Sequence, residues 1–374
     1  AQRIIPEILA IAEDTAELAK PNALFLNYAN PMAMISWALN RYSKVRSVGL
    51  CHGVEGGFSQ ICSVLGVPEE ETSYICAGVN HQTWYLSVKH RGEELTGKLV
   101  AAFEGHETAP TTEKVRIDVL RRFDHYSTES NGHLSEYLPW YRKRPDELGD
   151  WIAMDKWSQG ETGGYLRISR EGRRRYIEKF PEILAEPPAI FEKVNPYRSK
   201  EHFSYIVEAE HTGRLYRGHF NVENQGYITN LPDGCVVEVP GFVDSYGIHP
   251  MRIGDLPLGC AGVLRNTVSV QELGMEAAVN GDFDLFRQSL LLDPLVSAVC
   301  TPPEVWRMAD ELLVATAAWL PQYAPSVIDE ARKRLENTPY TYPRATKGMR
   351  LDQEETTEDV TDMSALLEKS GKTL

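Results

Sequence analysis

Three short polar segments, each following a run of apolar residues, carry the groups best suited to chemistry: Asn27-Tyr-Ala-Asn-Pro31, Cys51-His52 and Asn80-His81. A thiolate and an imidazole are donors that suit a borderline divalent metal. Cys51 and His81 stand 30 residues apart, a separation that two adjacent strands can close. The competing reading is a small core cysteine and a histidine satisfied by an ordinary hydrogen bond. A second cluster, Asp124-His125-Tyr126 through Glu129, Asn131 and His133 to Glu136 and Tyr137, is dense in groups able to act as acids, bases or hydroxyl ligands. The same residue types also cap helices and tighten loops. A third set lies in Asn221–Gly226, Asn230–Pro240 and Gly247-Ile-His249-Pro250. There Glu238 alternates with valines and points either into a site or into solvent.

The elements that must position these groups follow from the apolar pattern. Residues 1–20 repeat Ile4, Ile5, Ile8, Leu9, Ile11, Ala12, Ala16 and Ala19, a helical stripe. Ala23–Leu26 is a short continuous apolar run, as a buried parallel strand requires. Pro31–Leu39 reads as a helix with proline in its first turn. Val45–Leu50 reads as a second strand, Gly53–Leu65 as a second helix and Ser73–Val79 as a third strand. This alternation is the rhythm of a doubly wound α/β sheet, whose ligands bind beyond the carboxyl ends of the strands. The three polar segments fall at those ends. No G-x-G-x-x-G follows a strand in the opening segment, and the chain begins on a helix without Met. The expectation is that the first mononucleotide-binding half, roughly 100 residues, lies upstream.

Past residue 80 the texture changes. Trp84–Val88 alternates like a strand, and Glu94–Phe103 and Glu113–Phe123 read as helices. Residues 124–165 lack a period and read as a functional loop region, followed by a helix over Gly164–Lys179. Strands are expected at Leu215–Val222 and Val236–Val239, helices across 256–335, and a frayed acidic tail from Asp352. The predicted division is a dinucleotide-binding remainder over 1–80, an α+β domain over 81–350 and the tail over 351–374.

Composition narrows the function classes. The chain has 374 residues, 42% of them hydrophobic and 25% charged, which suits a globular protein with about two domains. With 53 acidic against 39 basic residues the net charge is −14, the opposite of a phosphate-neutralising surface. The run Arg170-Glu-Gly-Arg-Arg-Arg175 is broken by Glu171 and reads as a solvated helix face. No stretch approaches the roughly 18 apolar residues of a membrane span. Six scattered cysteines fit free thiols in a reducing cytoplasm.

Taken together, these segments resemble glycoside hydrolase family 4, the NAD-dependent glycosidases. The likeness rests on N-x-x-N-P (27–31), G-L-C-H-G-V (49–54), G-V-N-H (78–81), T-E-S-N-G-H-L-S-E-Y (128–137) and N-L-P-x-G-x-x-V-E-V-P (230–240), in that order. It runs from residue 1 to about residue 350. It implies a Rossmann-like parallel sheet, incomplete at its start, and a lactate-dehydrogenase-like α+β domain. In this family the residue after the metal cysteine sorts substrates, and His52 is similar to the α-glycosidases acting on non-phosphorylated sugars. The T-E-S…E-Y-x-P-W block looks most like α-galactosidases, while C-H-G-V also resembles α-galacturonidase-type members; an α-glucosidase is the other alternative.

The implied chemistry is a redox-assisted elimination, an exception to two-carboxylate glycoside hydrolysis. NAD takes hydride from sugar C3, a base removes the acidified C2 proton, and the C1–O bond breaks; water adds and the ketone is reduced again. A divalent ion, usually Mn²⁺, stabilises the enediolate. By resemblance Cys51 and His81 are its ligands, Asn30 contacts substrate hydroxyls, Asn27 lies nearer the cofactor, and His52 is the leaving-group acid. Tyr126 is the candidate base, with Asp124 and His125 as alternatives, and Glu129, Asn131 and His133 line the sugar pocket. The family also implies a homodimer or homotetramer. A metal-free 2-hydroxy-acid dehydrogenase and a non-catalytic sugar-binding remnant are the competing readings; the Cys51/His81 pair argues against the first.

Overall fold

The computed structural model describes residues 1–153, 164–185, 198–199 and 201–338; the acidic tail lies outside them. The opening segment folds as the apolar pattern dictates: α1 (Ile5–Leu18), β1 (Leu24–Asn27), α2 (Met32–Tyr42), β2 (Arg46–Gly49) and α3 (Gly53–Leu65). α3 stops at Gly66, whose left-handed φ of 66° is the helix-ending conformation that glycine adopts without cost. β1 and β2 pair in parallel, Leu24 opposite Arg46 through Asn27 opposite Gly49.

The third expected strand departs from the parallel scheme. β3 (Thr72–Val79) turns at once into β4 (Gln82–His90) and pairs with it antiparallel, Gly78 opposite Thr83 and Val79 opposite Gln82. Only Cys76–Val79 is buried on both faces, while Ser73 and Ile75 are exposed; a doubly buried stretch reads the same whichever way its neighbours run, so the apolar run within Ser73–Val79 does not distinguish the two. The helix expected at Glu94–Phe103 begins late. Glu94 folds back on the β4 edge, its carboxylate accepting from Val88 N at 3.0 Å and Ser87 Oγ at 2.6 Å. The chain there forms β5 (Glu93–Glu94) before α4 (Leu99–Gly105), α5 (Ala109–Thr112) and α6 (Lys114–Phe123).

The irregular stretch contains β6 (Tyr126–Ser127), α7 (Asn131–Tyr137) and α8 (Leu148–Trp151). α9 (Gly164–Ala185) carries the Arg173–Arg175 run on its exposed surface. There follow α10 (His202–Thr212), β7 (Tyr216–Glu223), β8 (Val236–Asp244) and β9 (Gly247–Pro250). The helical end comprises α11 (Leu258–Asn280), α12 (Phe283–Leu292), α13 (Pro294–Val299), α14 (Pro302–Thr316) and α15 (Pro325–Asn337).

Among the described residues the strands form one sheet, ordered β1-β2-β7-β8-β3-β4-β5, with β6 on β4 and β9 on β8. Only β1–β2 is parallel. The parallel and antiparallel parts meet where Gly49 of β2 lies opposite Asn221 of β7. A Cβ on Gly49 would come within 3 Å of Met32, Ser36 and Asn221, so the closeness of this junction requires glycine. One apolar core packs α1, α2 and α11 on the sheet, with Ile35, Trp37, Val237 and Leu264 at its centre. A second lies under α3, α4 and α6, built on Phe58, Tyr85, Phe103 and Tyr126. Among the described residues no helix is long and apolar enough to cross a membrane.

Candidate metal centre

Each strand end delivers one donor. Cys51 follows β2 and precedes the first turn of α3, so its backbone is fixed by a strand on one side and a helix on the other. His81 occupies the β3–β4 turn with φ 64°, in the left-handed region that ordinary side chains avoid. Glu129 lies between β6 and α7. The ligand atoms of Cys51, His81 and Glu129 all lie within 4.8 Å of one another. A soft sulfur, a ring nitrogen and a carboxylate oxygen form a donor set that fits a divalent transition metal. Cys51 and His81 therefore meet as the sequence implied, and Glu129, expected in the sugar pocket, stands with them.

The surroundings orient these donors. Tyr137 Oη is 3.2 Å from His81 Nδ1, which leaves Nε2 facing Glu129 at 4.0 Å. Such a contact sets the tautomer of a ligating imidazole. Burial foremost lowers the His81 pKa against the raising pull of Glu129, so the ring stays neutral, the form that coordinates. Burial foremost, then Glu238, pushes the Cys51 thiol up to about 12; a cation beside the sulfur acts in the opposite direction. His133 stands alongside, its Nδ1 2.8 Å from Ser130 Oγ and 3.5 Å from Glu129 Oε2, its ring edge-on to His81. His52 projects outward, 76% exposed, with Nδ1 3.7 Å from Glu201.

Gly53 gives the carboxylate its space. A Cβ there would lie 2.6 Å from Glu129 Oε1 and 3.5 Å from Cys51 Sγ. Because the displaced atom ends a flexible side chain and alanine is the better helix former, G53A should fold at least as stably as the parent. It should bind divalent metal at least about 10-fold more weakly. Parental affinity in a calorimetric Mn²⁺ titration would remove Glu129 from the ligand set.

Other expected residues are placed elsewhere. Tyr126, the candidate base, is completely buried between Phe103 and Arg116. Its hydroxyl donates to Gln60 at 2.8 Å, and burial foremost pushes its pKa well above that of an ordinary phenol. It is a core residue: β6 pairs Tyr126 with Tyr85 of β4, which turns the ring inward. Y126F should lose about 1 kcal/mol of stability and keep kcat within a factor of about three, compared by chemical denaturation and steady-state rates. Asn131 is likewise structural. Its Oδ1 accepts from Val115 N at 2.8 Å and its Nδ2 donates to the Trp151 carbonyl at 3.1 Å, so its amide joins the start of α6 to α8 rather than lining a sugar pocket. Asp124 is the exposed left-handed cap of α6, and His125 Nδ1 lies 3.2 Å from the Tyr85 carbonyl.

Asn27 is buried at the end of β1, with Oδ1 accepting from Ala29 N at 3.0 Å; its amide shapes the loop leading to Asn30. Asn30 is exposed and its Oδ1 accepts from Met32 N at 3.2 Å. It borders a cavity of about 620 Å³ shared with Arg3, Phe286 and Tyr323, whose lining includes none of the three donors.

Beneath the donors lie polar groups of which the sequence singled out Glu238 without placing it, and which otherwise, at Glu55, His202 and His219, it did not reveal. Glu238 is 1% exposed and its Oε2 accepts from Asn80 Nδ2 at 3.4 Å. Burial foremost, then nearby Glu55, pushes its carboxyl up to about 8. Glu55 lies 3.0 Å from His219 Nδ1 and 3.3 Å from His202 Nε2. Burial raises its pKa, but the two histidines outweigh that and hold it well below the usual carboxylate range. A glutamate among valines was the one available signal for Glu238.

The comparisons agree with this architecture. The chain matches the model of the family 4 glycosyl hydrolases over residues 1–67 and that of the family's C-terminal domain over 76–296. It is 54% identical over 335 residues to an α-galactosidase of Rhizobium meliloti (strain 1021), covering 89% of this chain and 68% of that protein. It is 32% identical over 326 residues to an α-galactosidase of Bacillus subtilis (strain 168), covering 86% and 72%. The crystal structure of a 6-phospho-α-glucosidase from gut microorganisms, in complex with NAD and Mn²⁺, superposes with a TM-score of 0.66 at 20% identity, over 86% of this chain and 73% of that one. That degree of likeness shows a shared fold. The ordered motifs, the fold and the matched relatives lead to one assignment: the chain belongs to the family 4 glycosyl hydrolases.

Proposed function

We propose that this protein hydrolyses α-galactosides by the redox-assisted elimination of its family, with NAD and a divalent ion such as Mn²⁺. The observation that carries the reading is the convergence of Cys51, His81 and Glu129 at the ends of β2, the β3–β4 turn and β6. The galactoside preference is supported by the two α-galactosidases among its relatives and by His52 after the metal cysteine.

When bound, NAD would supply the hydride acceptor and donor, and a divalent ion held by this site would supply Lewis-acid stabilisation of negative charge on the sugar. This chain's part is to hold and orient. Cys51, His81 and Glu129 would hold the ion, and Tyr137 fixes the ring of His81. His52, exposed and next to Cys51 in the chain, is our proposed proton donor to the departing oxygen, with Glu201 in reach of its ring. Asn30 and His133 are the proposed contacts to sugar hydroxyls, and Asn27 is the proposed contact nearer the cofactor. We place the division between cofactor and substrate parts near residue 80, at the β3–β4 turn. The six free cysteines suit the cytoplasm, and a homodimer or homotetramer is the proposed assembly.

The test is hydrolysis of 4-nitrophenyl α-galactoside with NAD⁺, Mn²⁺ and a reductant, omitting each in turn, beside the α-glucoside and α-galacturonide. The expected result is galactoside cleavage that vanishes without NAD⁺ or metal. Cleavage indifferent to NAD⁺ would sink the mechanism, and preference for the galacturonide would reassign the sugar.

A further inference from the structure

Beneath the donor set, one histidine touches the backbone of the metal cysteine. His202, in the first turn of α10, is 1% exposed, so its two ring nitrogens need partners inside the fold. Its Nε2 lies 3.1 Å from the Cys51 carbonyl oxygen and 3.3 Å from Glu55 Oε2. Its Nδ1 lies 2.5 Å from the hydroxyl of Tyr216. Because Nε2 faces two acceptors, it must carry a proton. The Cys51 carbonyl is the point where β2 has ended and the hydrogen-bond ladder of α3, which starts from the His52 carbonyl, has not begun. A backbone group between two elements depends on a side chain for its partner. The same turn of α10 also meets the two adjacent polar segments: Glu201 approaches His52, and Phe203 N donates to Tyr28 Oη at 3.2 Å.

We propose that His202, oriented by Glu55, is a positioning residue that fixes the Cys51 main chain and so aims Sγ at the divalent ion. The inference rests on the metal reading above. It explains why a carboxylate from α3 is used to hold two histidines inside the fold. Glu55 anchors His202 below Cys51, and His219, 3.0 Å from the other oxygen, anchors Glu55 in turn. Groups that orient metal ligands from behind typically account for 10- to 100-fold in affinity.

His219 provides the control, being 1% exposed and sharing Glu55, while the Cys51 carbonyl is met by His202. The experiment measures Mn²⁺ affinity by titration, and the thiolate-to-metal charge-transfer band of the Co²⁺-loaded chain, in H202L, H202Q, H219L, E55Q and the parent. Thermal melts run in parallel. H202L is expected to bind Mn²⁺ about 10- to 100-fold more weakly and to lose or shift the band, which reports the Cys51 bond itself. H202Q, which keeps an N–H near the Nε2 position, should stay within about 3-fold of the parent. H219L loosens one end of Glu55 but leaves His202 on the Cys51 carbonyl, so it should stay within about 3-fold of the parent whatever its melting temperature. E55Q retains the shape and removes the charge, so it should weaken binding roughly 3- to 10-fold, and it carries the test if H202L does not fold. Parental affinity and band in folded H202L, or in E55Q if H202L does not fold, overturns the proposal. Equal weakening in H202L and H219L also overturns it, because the effect then belongs to packing around Glu55. Absence of Cys51-dependent metal uptake in the parent would defeat the metal reading and this inference together.

Discussion

C51S is expected to lower kcat/KM on the α-galactoside by at least about 10³-fold, even with NAD⁺ and Mn²⁺ in excess. The serine hydroxyl is a far weaker donor to a transition metal than a thiolate, and at neutral pH it keeps its proton. Little else changes, because the donors to Sγ, Gly53 N at 3.4 Å and the Asn80 amide, can give their hydrogen bonds to an oxygen as well. Stability should therefore stay within about 1 kcal/mol of the parent. H81N is the companion variant. Asparagine tolerates the left-handed backbone that position 81 adopts, so the β3–β4 turn survives while the ring nitrogen is lost, with a fall of similar size expected. The measurement pairs steady-state rates with bound metal counted after dialysis. A C51S enzyme that retains its metal and turns over within tenfold of the parent would refute the assignment.

What the sequence could and could not reveal about this site follows from how each residue is placed. Cys51 and His81 were legible because each ends a continuous apolar strand, and the motif around each is short and ordered. Tyr126 was not, because its inward orientation comes from pairing with Tyr85, 41 positions earlier in the chain. A cluster rich in His, Tyr and Glu does not announce which member a partner strand will bury. Asn131 looked like a sugar contact for the same reason: only the structure shows both ends of its amide taken up by main chain. The direction of β3 was hidden because Cys76–Val79 is buried on both faces and the exposed Ile75 is itself apolar, which erases alternation; double burial of β8 around Glu238 likewise left that residue undecided between site and solvent. Glu55 drew no notice because its partners arrive from far along the chain, His219 being 164 positions away. No local pattern encodes such a contact. The helices were the most legible, since α3 matches its expected span at both ends and α6 lies within one residue of its own.

The second large effect is expected on stability. Arg116 is 3% exposed and holds the segment that presents Glu129. Its Nε donates to the Ser127 carbonyl at 3.1 Å, and its Nη1 to Glu113 at 3.1 Å and to Gln60 at 2.5 Å. Its guanidinium also lies 4.2 Å over the Tyr126 ring. R116M fills most of the same volume but strands the Glu113 carboxylate and the Ser127 carbonyl in poorly hydrated surroundings. Removing one partner of a buried ion pair costs about 3–5 kcal/mol, chiefly through the charge left behind. Urea denaturation should show a loss of that order, accompanied by weaker metal binding because Ser127 lies two residues from Glu129. The double variant R116M/E113L removes both charges and should recover a large part of the stability. It should not recover the metal affinity, since the Ser127 carbonyl is still without its donor. A loss below about 1 kcal/mol in R116M would show that Arg116 merely occupies the core. Full recovery of metal binding in the double variant would show instead that the Glu113 charge, and not the position of the Ser127–Glu129 segment, disturbs the site.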